Sequence, residues 1–407
     1  MPKVVQINSA INFSSTGRIV EQIGLCALES GWECYVAHGA RYVNPTNLRD
    51  IHIENKYEEK IHAIYSMMLD AQGLGSCVST NKLVRFLREV KPDILHLHNI
   101  HGYYLNYPIL FDYIKEVQPQ VIWTIHDSWA YTGHCAAYEP IACSRWITGC
   151  HDCPIKQEYP KSLFFDFSKK NFQRKKEYFC SANKMTIVPV SNFLVRDMSK
   201  SFLNKYPFHR IYSGIETSVF KPTDSTLRED FNLQNKFVIL GVASGWGKEG
   251  RMIGFLKLRE LLDSNYHIVL VGLTQEQINN LPAGITGLQP TASRTELAQI
   301  YTMADVFINP TLQDTFGLTS VEAQSCGTPS ITYRTGGAPE TVGEDTGIVV
   351  EKNDFAALKD AVLEIQSSLS DETDMRYKSQ TCRNRAVSLF EQKDRFNEYI
   401  DLYESLI

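Results

Sequence analysis

At 407 residues the chain exceeds one ordinary core and predicts two domains of about 200 residues each. Hydrophobic residues at 43%, charged residues at 21% and a formal net charge of -5 describe an ordinary soluble globular chain and give no support for nucleic-acid binding. The opening MPKVVQINSA lacks the long apolar core and cleavage site of a signal peptide, and no stretch approaches the ~18 apolar residues of a membrane span, so a cytoplasmic enzyme with reduced cysteines is expected.

In chain order, VVQIN is followed by TGRIVEQIGLCALESG and ECYVAHG, and then by DILHLHN, VIWTIHD and TIVPVS. Short apolar runs alternating with helical patterns predict a parallel sheet covered by helices on both faces over residues 1 to 190. RIYSGIETSVFKP carries the Gly and Pro punctuation of a linker, after which the pattern restarts with FVILGVAS, HIVLVGL, VFINPT, SITYR and GIVVEK. Residues 191 to 385 therefore form a second doubly wound domain, and 386 to 407 a terminal helix packing back on the first. Two such domains would place the carboxyl ends of both sheets at one cleft.

One loop carries its own chemistry. GHCAAYEPIACSRWITGCHDCP, residues 133 to 154, holds Cys135, Cys143, Cys150 and Cys153 within nineteen residues. Four thiolates including a C-x-x-C suit a structural tetrahedral zinc, with His134 and His151 as substitute ligands; two disulfides or free buried thiols are the alternatives. Trp129, Tyr131 and Tyr138 in the same region read either as sugar-stacking faces or as core packing. The basic run SKKNFQRKK, residues 168 to 176, reads as a solvated helix face or as a surface meeting anionic lipid headgroups at roughly 1 kcal/mol per charge.

Residues 312 to 329, LQDTFGLTSVEAQSCGTP, set Asp314 and Glu322 on either side of a Phe-Gly pair with seven residues between them. With ELAQIYTMADVFINPT before it and SITYRTGGAPETV after it, this segment resembles the donor site of retaining glycosyltransferases of the GT-B fold, in particular family 4 (group 1). DILHLHNIHGYYLNYP, WTIHDSWAYTGHC and GCHDCP resemble a branch of that family involved in bacterial surface polysaccharides of the colanic-acid and O-antigen kind. The resemblance implies a hexosyl-transferring enzyme that takes a UDP- or GDP-sugar donor and a saccharide or lipid-linked acceptor, without a catalytic metal. It also implies a protein at most peripheral to the inner membrane face.

The chemistry accords with that implication. A helix opening near Thr319 offers unpaired N–H groups to a diphosphate, and Gly317 permits close backbone approach. By the resemblance, Phe316, Gly317, Leu318 and Thr319 bind the donor, Glu322 accepts hydrogen bonds from its ribose hydroxyls, and Asp314 lies near hydroxyls of its sugar. Relatives would place an Arg near Ser244 and a Lys-Gly pair where this chain has Gly250 and Arg251, so Lys248 and Arg251 read either as the cation facing the leaving phosphates or as solvated residues at a helix start. In the first domain, Gly17 in SSTGRIVEQ is expected at a helix N-terminus beside the donor or acceptor, or as a tight turn. His126, ending VIWTIHD, matches a family histidine that contacts the donor sugar. His96, His98 and His101 read as cleft lining or satisfied core histidines. The displaced Lys-Gly register leaves one alternative, an inactive nucleotide-sugar-binding homologue or scaffold.

Overall fold

The computed structural model describes residues 1–53, 56–246 and 250–407, without the side chains of residues 40, 41 and 56. It divides into two compact units, Met1–Tyr212 with Phe396–Ile407, and Ser213–Arg395.

The first unit is built on a six-stranded parallel sheet of β1 (Lys3–Ile11), β2 (Glu33–Val43), β3 (Arg49–His52), β4 (Ile94–Leu97), β5 (Gln120–Ile125) and β6 (Met185–Pro189), in the order β3-β2-β1-β4-β5-β6. β4 and β6 are buried at every position, as expected of strands covered on both faces. The second unit repeats the arrangement with β7 (Phe237–Val242), β8 (Tyr266–Val271), β9 (Ile285–Leu288), β10 (Val306–Asn309), β11 (Ser330–Tyr333) and β12 (Gly347–Val350), ordered β12-β11-β10-β7-β8-β9. Both orders reverse beside the first strand of the unit, the switch point of a doubly wound sheet.

The division between the units lies at 212/213 rather than 190/191. After β6 the chain continues to bond to the first sheet, with Ile187 N–H on Pro207 O at 3.0 Å, His209 N–H on Ile187 O at 2.9 Å and Ile211 N–H on Pro189 O at 3.2 Å. The return to the first unit begins at Phe396 rather than at 386. The helix Ser379–Phe390 belongs to the second unit, where Arg383 Nη1 donates to Ser325 O at 2.7 Å and Phe390 meets Phe316 edge-on at 5.6 Å.

Beyond that point the helix Gln392–Ser405 buries Phe396, Tyr399, Ile400 and Tyr403 in the first core, beside Trp32, Ile94 and Ile122. Its polar tips are satisfied there: Tyr403 Oη lies 2.6 Å from His96 Nδ1, and Thr124 Oγ1 donates to Tyr399 Oη at 3.3 Å. Among the described residues, no helix is long and apolar enough to cross a membrane.

Candidate functional site

In the second unit the carboxyl ends of β7 and β10 position the candidate groups. β7 leads through exposed Ser244 and buried Trp246, whose indole N–H donates to Val271 O at 2.8 Å. Lys248 lies outside the described residues. The helix Arg251–Leu261 then starts from Gly250, whose φ of 67° lies in the left-handed region that glycine tolerates. This places Arg251 against the loop after β10: its Nη2 donates to Thr311 Oγ1 at 3.1 Å, and its charge acts on Asp314.

That loop is closed on itself. Asp314 Oδ1 accepts the Phe316 N–H at 3.1 Å, the Asp314 carbonyl accepts the Gly337 N–H at 3.0 Å, and Thr311 Oγ1 donates to Gln313 O at 2.8 Å. Burial pushes the Asp314 carboxyl up, against the opposing pull of the Phe316 amide, Arg251, Asn309 and the Gly317 amide. The chain then turns at Gly317, with φ of 96°, into the helix Leu318–Ser325. Leu318 and Thr319 are half-buried in its first turn, whose N–H groups and positive dipole end suit an anion.

The Phe316 side chain is 3% exposed and packs on Phe390, so it anchors the turn in the core and leaves only its backbone toward the helix start. Glu322 is in the second turn of this helix, and its Oε2 accepts from the buried phenol of Tyr301 at 2.9 Å. Burial and the Glu322 charge raise Tyr301 well above its ordinary range, which keeps it a donor. Tyr301, Thr311 and Asn309 were not singled out from sequence, although all three lie in the segment that carries the resemblance.

In the first unit Gly17 sits inside the first turn of the helix Ser14–Glu29, and its carbonyl accepts the Asn12 N–H at 3.0 Å. A Cβ there would lie 3.3 Å from Ala10 and from the Asn12 amide, so the tight strand-to-helix turn itself calls for glycine.

His126 follows β5, half-buried. Gln6 Nε2 donates to Val20 O at 3.0 Å, which aims Gln6 Oε1 at His98 Nε2, 3.1 Å away; His98 must donate there, so its Nδ1 is bare. His126 Nε2–H is therefore the donor in the 3.2 Å contact to His98 Nδ1. Burial lowers His126 to about 4, so it is neutral at ordinary pH. Burial also lowers His96 and His98, which are satisfied core histidines bonded to Tyr403, Thr124 and Gln6.

His101 differs, with Nε2 2.7 Å from Asp127 Oδ2 and Nδ1 2.9 Å from Tyr159 Oη. Burial alone would raise the Asp127 carboxyl, but His101, the Trp129 amide and His126 hold it below its ordinary value. His101 and Tyr159 also line a cavity of about 250 Å³ with Tyr42, Tyr104, Glu59 and Ser9.

At the cysteine loop and the basic helix after it, the structure decides between the alternatives. Trp129, Tyr131 and Tyr138 are buried: Tyr131 and Tyr138 pack on Trp146 at 5.1 and 5.3 Å and both donate to Asp197, so they are core residues rather than sugar platforms. Lys175, from the basic run, is buried as well. Its Nζ lies 3.6 Å from the Trp129 ring centroid and donates to Trp129 O at 2.7 Å and Thr132 O at 3.1 Å, so the run is not wholly a solvated face. Cys135, Cys143, Cys150 and Cys153 line one cavity, and all ten cysteines are free thiols. His151 is exposed and pairs with Asp152 at 3.0 Å. Among the described residues, the one trio of ligand-type atoms within 4.8 Å of one another is His38, Asp50 and His52 at the sheet edge. There Asp50 Oδ2 pairs with both histidines, at 3.2 and 3.6 Å, which accounts for that trio without an ion.

Residues 250–368 match the family model described as glycosyl transferases group 1. The chain is 38% identical over 86 residues to the putative colanic acid biosynthesis glycosyl transferase WcaC of Escherichia coli (strain K12), covering 20% of this chain and 21% of that protein. It is 34% identical over 113 residues to a D-inositol 3-phosphate glycosyltransferase of Corynebacterium kroppenstedtii, covering 28% and 24%. The matched stretches thus span about a fifth to a quarter of these relatives. Sucrose-phosphate synthase from Thermosynechococcus elongatus has a similar structure, with a TM-score of 0.73 at 16% identity, covering 100% of this chain and 99% of that one. HepE from Anabaena, solved in complex with UDP, gives 0.67 at 14% identity, covering 100% of both chains. The fold is GT-B, and residues 250–368 of the second unit are similar to group 1 glycosyl transferases.

Proposed function

We propose that this chain is a retaining glycosyltransferase that moves a sugar from a UDP- or GDP-sugar to a saccharide or lipid-linked acceptor in surface-polysaccharide synthesis. The observation that carries the reading is the placement of Arg251 beside Asp314, one turn of chain ahead of the helix that opens at Gly317. A guanidinium and the positive end of the helix dipole offset charge on the departing diphosphate, while the carboxylates bind hydroxyls. Asp314 addresses the donor sugar and Glu322, braced by Tyr301, the ribose. That HepE binds UDP with the same fold supports a uridine donor.

In the proposed step the bond from the anomeric carbon to the phosphate oxygen breaks, and its electron pair leaves with the nucleotide. The acceptor oxygen bonds to the same face of that carbon, and its proton passes to the departing phosphate oxygen. This assigns charge stabilisation to Arg251 and requires no catalytic metal. His126, neutral, makes a hydrogen bond to a hydroxyl of the donor sugar. The cavity with Tyr42, Tyr104 and Tyr159 around His101 and Glu59 suits the faces and hydroxyls of an acceptor sugar.

The test is nucleotide release from UDP-, GDP-, ADP- and CMP-sugars, with and without lipid-linked acceptor. Acceptor-dependent release with retained anomeric configuration is expected. Binding without release from any donor, across an acceptor panel, would leave the inactive-homologue reading in its place.

A further inference from the structure

We infer that residues 133–155 form a zinc knuckle whose ligands are His134 Nε2 and the thiolates of Cys143, Cys150 and Cys153, with Asp70 orienting the histidine. The inference is independent of the transfer reaction. His134 is 2% exposed, its Nδ1 lies 2.6 Å from Asp70 Oδ1, and its Nε2 is buried without a hydrogen-bond partner. It lines the same cavity as the cysteines. A carboxylate on one ring nitrogen with the other left bare is the arrangement of a metal-bound histidine. Asp70 is itself fixed, accepting the Phe167 N–H at 2.8 Å on its second oxygen and the Asn171 side-chain amide at 2.6 Å on its carbonyl.

The sulfurs show a matching pattern. Burial pushes the Cys150 and Cys153 thiols up, and at Cys150 the Gly133 N–H, aimed at Sγ at 3.1 Å, opposes that rise. Amides aimed at sulfur stabilise thiolate over thiol. Three thiolates, one neutral imidazole and Zn²⁺ carry a net charge of about -1, and burial, which lowers Lys175 to about 7, is opposed by the charges of Cys135 and Cys150 beside it. Cys135 is left out of the set because a closed tetrahedral site takes four ligands, and His134, lining the same cavity, already offers it a bare nitrogen.

The enclosed space is about 20 Å³, enough for one ion-sized body. Among the described residues no three of these ligand atoms lie within 4.8 Å of one another, so closing to the ~2.3 Å Zn–S and ~2.0 Å Zn–N distances takes cysteine side-chain rotation. Each thiol releases its proton to solvent as it binds.

The experiment is metal analysis of the full chain purified without added metal or chelator, followed by cobalt substitution. About one zinc per chain is expected, with a visible cobalt spectrum of the three-sulfur, one-nitrogen type. Cys135→Ser should keep the metal, and Asp70→Asn should weaken zinc affinity about 10- to 100-fold. His134→Ala should lose the metal, with circular dichroism reporting whether the rest of the chain stays folded. Zinc far below one equivalent in folded protein, or disulfides among these cysteines, would overturn the site. A four-sulfur cobalt spectrum, or loss of metal in Cys135→Ser but not in His134→Ala, would overturn the ligand set.

Discussion

The Tyr301 phenol donates to Glu322 Oε2 at 2.9 Å, tying the helix Arg294–Met303 to the helix Leu318–Ser325. One carboxylate oxygen is thereby held by the protein, and the carboxylate is oriented before any ligand arrives. A neutral donor to a charged acceptor contributes about 1.5 to 3 kcal/mol. Tyr301→Phe should therefore weaken nucleotide binding roughly 10-fold by calorimetry, and Glu322→Ala should weaken it further. Unchanged affinity in Glu322→Ala would remove that residue from the donor site.

Arg251 gives a sharper prediction because its role is proposed for the transition state more than for ground-state binding. Arg251→Ala should lower kcat about 100- to 1000-fold, the cost of removing one aligned donor from developing charge. Arg251→Lys keeps the charge but not the planar fork that reaches Thr311 at 3.1 Å, so it should recover only part of the loss. Steady-state kinetics with a saturating donor checks both. A fall in affinity with kcat intact would make Arg251 a ground-state binding residue.

The contrast between Arg251 and its neighbours shows what the sequence conveyed. Alternating apolar runs made both parallel sheets legible, because each strand carries its signal within a few consecutive residues. Arg251 and Asp314 were legible as types in a motif, but Tyr301 under Glu322 is a pairing across 21 positions, which no local spacing records. Lys175 was hidden for another reason: it stands in a run of charges, yet one helical face turns it inward onto Trp129. The unit boundary was displaced because backbone hydrogen bonds from Pro207 to Ile211 extend the first sheet past its last obvious strand.

The first unit should lose stability in mild acid. His62 Nε2 accepts the N–H groups of Gly73 and Gly75 at 3.1 and 3.0 Å, and its Nδ1–H donates to Ser76 Oγ at 2.9 Å. A proton on Nε2 would displace both amides, and burial lowers the ring to about 4. The unfolded chain, near 6.5, then binds more protons than the folded one between those values. The contribution of His62 is present in full above about 6.5 and is lost as pH falls toward 4, a change of roughly 3 kcal/mol. His96 and His98 act in the same direction. Denaturant midpoints should hold steady from neutral pH down to about 6.5 and then fall. His62→Gln should flatten part of that fall; an unchanged pH profile in this variant would show that His62 is not its source.

The last prediction concerns the ammonium under the cysteine loop. Lys175 Nζ satisfies the carbonyls of Trp129 and Thr132 and lies against the Trp129 ring, with the whole side chain 2% exposed. Lys175→Met fills the same space but leaves two buried acceptors without donors, each costing about 1 to 3 kcal/mol. The cation–π contact and the charge opposite the cysteines go with them. The burial cost of the ammonium is removed at the same time, so the net loss should fall at the low end, about 2 kcal/mol. Lys176→Met, one residue on and exposed, should change stability by less than about 0.5 kcal/mol. Urea unfolding of the two variants side by side separates the buried lysine from its solvated neighbour. Equal stability of the pair would mean that the carbonyls of Trp129 and Thr132 find other donors.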